Sequence, residues 1–359
     1  MKKALKWILG ILIALLVVVG GYLAYVFIAY HRIGDMSLDV DREEREVVLA
    51  GGEYDLVSWN IGFGAYEADY GFFMDGGTES WAWSKERLDK NLNAISGVLN
   101  DRHADFYLVQ EVDIDSTRSY HLDEREYLLT GLPGTAYQSV YAPNYDSPFL
   151  MYPLTQPHGA SKSGIMTFSR YGISEAERVE LPIETGLMKF FDLDRCYSKT
   201  HIPSNIDDGA ELVLYNFHLS AYTSDGTIAT EQLKLLLADM QAEYEKGNWC
   251  VASGDFNKDL LGDSSRYWGK SDIEYTWAQP IPAGLFDGTN ITLIAPLDED
   301  DPIPSCRNAD SAYHKGQYVL TIDGFLVSDN VTAKDAEVID TGFAYSDHNP
   351  VRVTIELGR

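Results

Sequence analysis

Apolar residues form one long run near the N-terminus, over residues 7–30. These 24 positions contain no charged residue, and Lys2, Lys3 and Lys6 precede them. At about 1.5 Å per residue, a helix of this length can span a hydrocarbon core of about 30 Å. Lysines before the run and an acidic region after it predict a single-pass anchor in the cell membrane, with its N-terminus in the cytoplasm.

The rival interpretation of this run is a cleaved signal peptide. Signal peptides have an apolar core of about 7–15 residues followed by a small-x-small cleavage site, and residues 7–30 fit neither feature. We therefore expect a basic cytoplasmic stub over residues 1–6 and a transmembrane anchor over 7–30. A charged stalk over 31–52 and one extracytoplasmic domain over 53–359 complete the predicted organisation.

Downstream of the anchor, short apolar segments alternate with amphipathic ones. Apolar residues at helical spacing predict a helix over 84–101, which Ser84 can N-cap, and a second helix over 230–244. Strands are predicted over 54–60, 106–109, 163–168, 212–217, 249–252, 319–327 and 351–355. Strands joined by both hairpin-length and helix-length connections favour sheets covered by helices.

Composition and charge indicate a globular, strongly acidic domain. Hydrophobic residues make up 45% and aromatic residues 12% of the chain, which excludes a disordered protein. Residues 1–30 hold three lysines and no acid, so the formal charge of −27 leaves −30 on residues 31–359. Such a domain repels polyanions and argues against nucleic-acid binding through a basic surface, whereas a bound cation would still admit a phosphate substrate.

The three cysteines and the absent motifs narrow the chemistry further. Three cysteines cannot build a disulfide framework; we interpret Cys250 as a buried small hydrophobe, and a bond between Cys196 and Cys306 stays open. No Cys/His spacing in the sequence indicates structural zinc. Neither a serine nucleophile elbow nor a Walker-type phosphate loop occurs in the sequence.

Polar residues cluster where the predicted strands end, which is where α/β sites usually lie. Each has an ordinary structural interpretation on its own: residues 254–257 are turn formers, and His218 fits a core histidine. Together they set carboxylates, amides and histidines at successive strand ends: Asn60, Glu111, Asn216, His218, Asp255, Asn257, Asp323, Asp347 and His348. Carboxylates and amides suit Mg²⁺ or Mn²⁺, and histidines move protons near neutral pH.

Six motifs occur in a characteristic order, namely Trp59-Asn60, Gln110-Glu111-Val112, Asn216-Phe217-His218-Leu219, Gly254-Asp255-Phe256-Asn257, Ile322-Asp323-Gly324-Phe325 and Ser346-Asp347-His348-Asn349-Pro350. With them the chain resembles the endonuclease/exonuclease/phosphatase superfamily, which includes deoxyribonuclease-like enzymes and neutral sphingomyelinases, over about residues 54–357. The resemblance implies a four-layered α/β sandwich, in which two packed mixed β-sheets are flanked by helices and preceded by the transmembrane helix.

The resemblance also implies a metal site. Glu111 would be the main ligand of Mg²⁺ or Mn²⁺, with Asn60 beside it and Asp347 sharing the site. Catalysis at such a site needs little covalent chemistry, because positioning and charge neutralisation supply most of the rate.

A further set of roles follows from the same resemblance. His348, oriented by Asp323, would act as general base on the attacking water or as a phosphate ligand. Asp255 and Asn257 would position the water and the phosphate. His218 would donate to a non-bridging phosphate oxygen as charge builds there.

Several residues are candidates for binding the phosphate or the head group of a substrate. Asn216 lies in one of the motifs, Arg118 follows the metal-binding glutamate, and Arg307 lies on a late loop. For both arginines a structural role is an equal alternative. Lys162 and Arg170, which flank a predicted strand, carry the same two interpretations.

The predicted function is divalent-metal-dependent hydrolysis of phosphoester bonds. A phosphodiesterase acting on nucleic acid, a nucleotide or a phospholipid head group fits best, and tethering near lipid favours the head group slightly. The alternatives are an inositol-phosphate-type phosphomonoesterase and a non-catalytic binding protein on the same fold. Asp323-Gly324-Phe325 stands where many family members have Asp-Tyr-Ile, which leaves the substrate branch open. Apart from substrate and membrane, no protein partner is predicted.

Overall fold

The N-terminal apolar run forms one helix. The computed structural model describes residues 2–40, 45–132, 137–186, 189, 193–206, 209–221, 227–270 and 277–359. Helix α1 (Lys2–Ala29) is the one helix in these ranges that is long and apolar enough to cross a membrane, with a mean hydropathy of 2.7 over its most apolar window. Most of its side chains are exposed, and Val26 is buried.

Short strands and a few helices make up the rest of the described chain. The helices that follow α1 are α2 (Lys85–Asn100), α3 (Glu124–Gly131), α4 (Thr227–Glu245) and α5 (Ser265–Trp268). In chain order the strands are β1 (Met36–Ser37), β2 (Glu53–Asn60), β3 (Phe106–Asp113), β4 (Gln138–Leu150), β5 (Gly159–Ser169), β6 (Glu175–Glu180), β7 (Cys196–Pro203), β8 (Glu211–His218), β9 (Trp249–Asp255), β10 (Ile291–Ile294), β11 (Cys306–Arg307), β12 (Val319–Leu320), β13 (Asp323–Ser328), β14 (Val331–Val338) and β15 (Val351–Leu357).

Two large mixed sheets organise these strands. The six-stranded sheet has the order β14-β15-β2-β3-β5-β4, and the seven-stranded sheet has the order β1-β6-β7-β8-β9-β13-β10. Each sheet contains one parallel pair, β2–β3 in the first and β8–β9 in the second, and its other pairs are antiparallel. The sheets therefore have the mixed character that the sequence predicts.

Apolar side chains pack between the four layers of the domain. The layer between the sheets is a core that includes Leu56, Phe106, Leu214 and Val251. Helix α2 packs its leucines on the outer face of the six-stranded sheet, and α4 packs on the outer face of the seven-stranded sheet. This arrangement confirms the predicted α/β sandwich with helices outside.

The first amphipathic helix shows how closely local sequence sets an element. Ser84 is extended and its hydroxyl accepts a 3.2 Å hydrogen bond from the Arg87 amide, which caps α2 at its first turn. The apolar residues at helical spacing, Leu88, Leu92 and Ile95 among them, are buried on one face. The helix predicted over 84–101 is confirmed within one residue at each end.

One predicted strand is wrong. Residues 319–327 do not form a single strand, because β12 pairs with β11 in a separate two-stranded ribbon whereas β13 belongs to the seven-stranded sheet. The chain changes partner at Ile322, where the Ser305 hydroxyl accepts hydrogen bonds from the amides of Ile322 and Asp323 at 2.9 and 3.1 Å. A side chain thus takes the place of a neighbouring strand, and Asp323 begins β13 opposite Asp255.

The described part of residues 31–52, predicted as a stalk, lies against the domain. Arg32 pairs with Glu180 at 2.7 Å and with Asp194 at 3.2 Å, and β1 pairs with β6. Residues 41–44 lie outside the described ranges. All three cysteines are buried free thiols, so Cys196 and Cys306 are not bonded to each other.

Candidate active site

The C-terminal ends of both parallel strand pairs meet in one cleft. Asn60 ends β2 in the six-stranded sheet, and Asp255 ends β9 in the seven-stranded sheet. The side-chain amide of Asn60 donates through Nδ2 to Asp255 Oδ2 at 3.1 Å, and this hydrogen bond joins the two sheets at this edge. Parallel strands deliver their terminal side chains to the same edge of a sheet, so the motifs after these strands converge here.

Asn60, Glu111 and Asp347 form what we call the acidic side of the cleft. Asn60 Nδ2 also donates to Glu111 Oε1 at 3.1 Å, while its Oδ1 accepts from the Gly62 amide at 3.0 Å. Glu111 sits at a break in the β3–β5 register with a φ of 56°, in the left-handed region that non-glycine residues rarely adopt. This local strain turns the carboxylate of Glu111 out of the strand and into the cleft.

Asp347 enters the acidic side from the loop before β15. Its carbonyl accepts a 2.9 Å hydrogen bond from the Arg307 amide, and its Oδ1 lies 3.3 Å from the Ser346 hydroxyl. Burial and the nearby charge of Glu111 raise the pKa of Asp347 to about 6, although His348 and Arg307 act in the opposite direction. The two carboxylates therefore lie close enough for the charge of one to affect the protonation of the other.

His348, Asp323 and Ser305 form a chain of hydrogen bonds on the opposite side. His348 Nδ1 lies 2.8 Å from Asp323 Oδ2, which also accepts from the Ser305 hydroxyl at 2.7 Å. Burial opposes the charged imidazolium, but the charges of Asp323 and Asp255 outweigh it and raise the pKa of His348 well above its usual value. Its other nitrogen, Nε2, faces the cleft 3.6 Å from Asp255 Oδ2.

Asp255 lies close to residues of both sides of the cleft, Asn60 and His348. Its Oδ1 accepts from the Asn257 amide at 2.8 Å, and its Oδ2 lies 3.5 Å from His218 Nε2. Burial, helped by the charge of Asp323 and opposed by His348, raises the pKa of Asp255 to about 7. A carboxyl with a pKa in this range can accept a proton and release it again near neutral pH.

His218 and Asn257 complete the floor of the cleft. Burial, with the positive charges of Arg195 and His348, lowers the pKa of His218 well below its usual value, so its imidazole is neutral. Among the described residues nothing bonds to His218 Nδ1, which is buried. Asn257 has a φ of 48° and donates through Nδ2 to the Leu219 carbonyl at 2.8 Å, which fixes its amide.

Sequence comparison identifies the family to which this site belongs. The model of the Endonuclease/Exonuclease/phosphatase family matches residues 57–348, which contain every residue of the cleft described above. The chain belongs to this family. It is thereby placed among phosphoester hydrolases. A search among curated proteins finds no significant sequence match.

Solved structures of the family share the fold of this chain. The endonuclease/exonuclease/phosphatase from Beutenbergia cavernae aligns with a TM-score of 0.54 and 17% identity, over 85% of this chain and 72% of that chain. ANGEL2, a 2′,3′-cyclic phosphatase, aligns with a TM-score of 0.55 and 15% identity, over 90% and 99% of the two chains. A family protein from Leptotrichia buccalis gives 0.55 and 14%, over 85% and 100%. At these identities the likeness is one of fold.

Endonuclease/exonuclease/phosphatase enzymes typically use divalent metals, and the acidic side suits one. Among the described residues, no three His, Cys, Asp or Glu side chains converge closely enough to hold a metal ion by themselves. Mg²⁺ does not require such a group, because it binds through one or two carboxylates plus phosphate and keeps several waters. Glu111 and Asp347 supply two carboxylates whose mutual repulsion a cation would relieve. The residues present therefore fit Mg²⁺ or Mn²⁺.

Two of the predicted phosphate ligands in this family member are already engaged. Arg307 donates to four backbone carbonyls, those of Asn308, Ser311, Glu67 and Tyr70, at 3.1–3.4 Å. Asn216 is fully buried between the sheets, where its Nδ2 donates to the Met166 carbonyl at 3.0 Å. Both side chains are used to hold neighbouring segments together.

Arg118 is better placed to meet a substrate. Its Nε and Nη2 form a bidentate pair with Asp113 at 3.0 and 2.9 Å, and its guanidinium stacks 3.9 Å over the Phe63 ring. The side chain lines the cleft, and this pairing leaves Nη1 for an anion. Lys162 and Arg170 are instead exposed and pair at 3.8 Å with Asp115 and Asp105, respectively.

The cleft wall also contains residues that the motifs do not include. His158 and Arg195 are buried and line the cleft, together with Tyr145 and Trp277. Arg195 donates to the His218 carbonyl at 3.4 Å, which places its positive charge next to that histidine. No sequence pattern marks these residues, because their approach to the cleft depends on how the sheets and loops pack.

Proposed function

We propose that this chain is a divalent-metal-dependent phosphodiesterase that activates a water molecule for attack on phosphorus. The observation that supports this most is that two sets of groups line one cleft. A charged His348 and a neutral His218 form one set, and the carboxylates of Glu111 and Asp347 form the other. With a divalent cation on the carboxylates, such a cleft would neutralise a phosphate from two directions, and Asp255 lines the same cleft.

The protonation states suggest how the work is divided. His348 is an imidazolium at neutral pH, so it donates a proton in a hydrogen bond to a phosphate oxygen and does not take one from water. Asp255, whose pKa is raised to about 7, is the better general base for the attacking water. His218 donates to a non-bridging oxygen, and Asn257 positions the phosphate.

The acidic side would hold the metal. Glu111 and Asp347 are the carboxylate ligands, and Asn60 supports them through its hydrogen bond to Glu111. A bound Mg²⁺ or Mn²⁺ would supply Lewis-acid polarisation of the phosphoryl group and neutralise charge on it. Arg118 would bind the phosphate through Nη1, the guanidinium nitrogen that its ion pair with Asp113 does not use.

The direct test is hydrolysis of bis-p-nitrophenyl phosphate by the full chain in detergent, with Mg²⁺ or Mn²⁺ added. Hydrolysis should disappear with EDTA and fall by about 10²-fold or more in Glu111→Ala and in His348→Ala. Comparison with p-nitrophenyl phosphate distinguishes a diesterase from a monoesterase. His201→Ala is the matched control, because His201 on β7 does not line the cleft and pairs with Glu211 on β8 at 2.8 Å.

Two results would contradict the proposal. Unchanged hydrolysis in both Glu111→Ala and His348→Ala would show that another site acts. A wild-type chain that binds Mg²⁺ but hydrolyses neither ester would instead favour a binding protein on this fold.

We also propose that α1 anchors the chain in the cell membrane, with the N-terminus in the cytoplasm and the domain outside. Its mean hydropathy of 2.7 supports the membrane span, and the three lysines at its start support this orientation. Membranes washed with alkaline carbonate should retain the full chain, and protease added outside intact cells should digest the domain. Release by carbonate would contradict the anchor.

A further inference from the structure

An uncharged hairpin tip protrudes from an otherwise acidic domain. Strands β4 and β5 form a long hairpin, and residues 147–157 at its end contain no Asp, Glu, Lys or Arg. We call residues 149–154 the hairpin tip. Four of its large apolar side chains are exposed: Phe149 by 41%, Met151 by 44%, Tyr152 by 62% and Leu154 by 81%. Exposed apolar side chains grouped in this way indicate an interaction surface.

The hairpin tip touches the C-terminal part of α1. The Tyr22 hydroxyl donates to the Phe149 carbonyl at 3.3 Å and accepts from the Met151 amide at 2.9 Å. The Tyr25 hydroxyl accepts from the Phe149 amide at 3.0 Å. The apolar surface of the tip is therefore continuous with the apolar surface of the helix.

The level of this contact along α1 coincides with the edge of a bilayer. Eighteen residues separate Trp7 from Tyr25, which at about 1.5 Å per residue is about 27 Å, close to a hydrocarbon thickness of about 30 Å. Trp and Tyr favour the two interfaces of a membrane, so Trp7 and Tyr25 mark its inner and outer limits. The hairpin tip, bonded to Tyr25, then lies at the outer interface.

The same hairpin continues into the wall of the cleft. Tyr152 packs edge-on against Phe73, with ring centroids 5.7 Å apart, and Phe73 lies 6.0 Å from His158, which lines the cleft. The indole of Trp81 donates to the Pro157 carbonyl at 2.7 Å and holds the two segments together. A continuous apolar rim therefore leads from the tip to the cleft, and the half-exposed Met74 belongs to it.

We propose that the hairpin tip inserts into the outer membrane–water interface beside α1 and turns the rim of the cleft toward the lipid. The substrate is then a phosphoester carried by a membrane lipid, and its head group reaches the cleft along this rim. The substrate class rests on the proposed phosphodiesterase function, whereas the membrane contact rests on the position of the tip beside α1.

Charge favours a bilayer as the occupant of this surface. Residues 31–359 carry a formal charge of −30, and most faces of such a domain are repelled by an anionic membrane surface. The uncharged tip can approach the lipid without that repulsion, and it lies beside the helix that would already be in the membrane. Its side chains thus contact the same apolar medium as those of α1.

Spin labels on the full chain in phosphatidylcholine nanodiscs test the membrane contact. The native cysteines are buried, so a label attaches to Leu154→Cys or, as a matched control, to Leu235→Cys on α4, where Leu235 is 49% exposed. The label at 154 should collide mainly with oxygen dissolved in lipid, and the label at 235 mainly with a water-soluble nickel complex. Equal access of the nickel complex to both labels, or a label at 154 shielded from both reagents, would overturn the proposal.

Hydrolysis of two substrates tests the lipid specificity. Leu154→Asp should lower the release of phosphorylated head groups from vesicles of phosphatidylcholine, phosphatidylinositol and sphingomyelin at least tenfold, with bis-p-nitrophenyl phosphate hydrolysis unchanged. Leu235→Asp should alter neither rate. Wild-type hydrolysis of the soluble diester without head-group release, or equal release by Leu154→Asp, would defeat the lipid inference alone. Failure of the wild-type chain on both substrates would defeat the proposed function itself.

Discussion

Asp323 Oδ2 lies 2.8 Å from His348 Nδ1, although the two residues enter the cleft from different sheets. Asp323 begins β13 of the seven-stranded sheet, and His348 comes just before β15 of the six-stranded sheet. The contact fixes the imidazole ring and stabilises its charge, so that Nε2 points at the cleft as a donor. The orientation of His348 therefore depends on the packing of one sheet on the other.

Removing the charge of Asp323 should disable His348 without removing it. Asp323→Asn is expected to lower kcat by about 10²–10³-fold, because the imidazole loses both its orientation and the partner that raises its pKa. Steady-state kinetics between pH 5 and pH 9 will show this as a lower plateau and a loss of activity that begins at lower pH. Ser305→Ala removes the hydroxyl that donates to Asp323 and accepts from the amides of Ile322 and Asp323, but it leaves the Asp323 charge in place, so kcat should fall less than about tenfold. A kcat for Asp323→Asn equal to that of wild type would remove Asp323 from the mechanism.

Metal affinity should depend on the protonation of Asp347. The pKa of this carboxyl is raised to about 6, so below that pH a proton occupies the group that Mg²⁺ needs. We expect the apparent Kd for Mg²⁺ to rise about tenfold per pH unit below about 6 and to level off above about 7. Calorimetric titration of the full chain at pH 5 and pH 8 will measure this difference. Equal affinities at both values, or an unaltered affinity in Asp347→Asn, would show that the metal binds elsewhere.

Two asparagines from neighbouring motifs should behave differently when truncated. Asn216→Ala removes the hydrogen bonds that join Asn216 to the Gln110 amide and to the Met166 carbonyl between the sheets, and should lower the free energy of unfolding by about 1–3 kcal/mol. Its kcat/KM should change less than about fivefold, since the side chain does not line the cleft. Asn257→Ala should instead lower kcat/KM about 10²-fold, because its side chain lines the cleft. Urea unfolding and steady-state kinetics on both variants measure these differences. If Asn216→Ala lost as much activity as Asn257→Ala, Asn216 would contact the substrate.

Glu243 should stabilise the fold in a pH-dependent way. Burial opposes its charge, but hydrogen bonds from Lys199, Lys246 and Asn248 lower its pKa to about 2. A carboxylate whose pKa falls on folding stabilises the native chain above its unfolded pKa of about 4.5 and loses that effect as the pH falls toward 2. Glu243→Gln should therefore cost about 2 kcal/mol at pH 7 and about 1 kcal/mol at pH 3. Urea unfolding at both values measures it, with the exposed Glu231→Gln as control; an equal cost at both pH values would contradict the pKa.

Much of the fold follows from local sequence. The helix at 85–100 was predictable because a capping serine and a helical apolar period coincide, and the strand ends were marked by polar residues after apolar runs. The strand predicted over 319–327 fails because Ser305, distant in sequence, replaces a strand neighbour at Ile322. A hydrogen bond of that kind leaves no trace in the apolar pattern of the strand itself.

The candidate site was partly visible for the same reason. Glu111 lies near the end of β3, Asp255 ends β9 and His348 precedes β15, so the shared edge follows once the strand pairs are known. Asn216 looks equivalent in the sequence, yet it precedes His218 by two residues and points into the space between the sheets. His158 lies on the connection between β4 and β5, and only the packing of that hairpin brings it into the cleft. Depth along a strand and the packing of hairpins are set by the whole molecule.

The division of the cleft between two sheets ties ligand binding to folding. Asn60 and Glu111 belong to one sheet, and His218 and Asp255 belong to the other, so neither half of the site is complete until both sheets have packed. A ligand that contacts both halves binds the native chain and not the unfolded one, and it shifts the unfolding equilibrium by mass action. Substitutions in the inter-sheet core, far from any reacting atom, will therefore weaken the binding of such a ligand in proportion to the native population they remove.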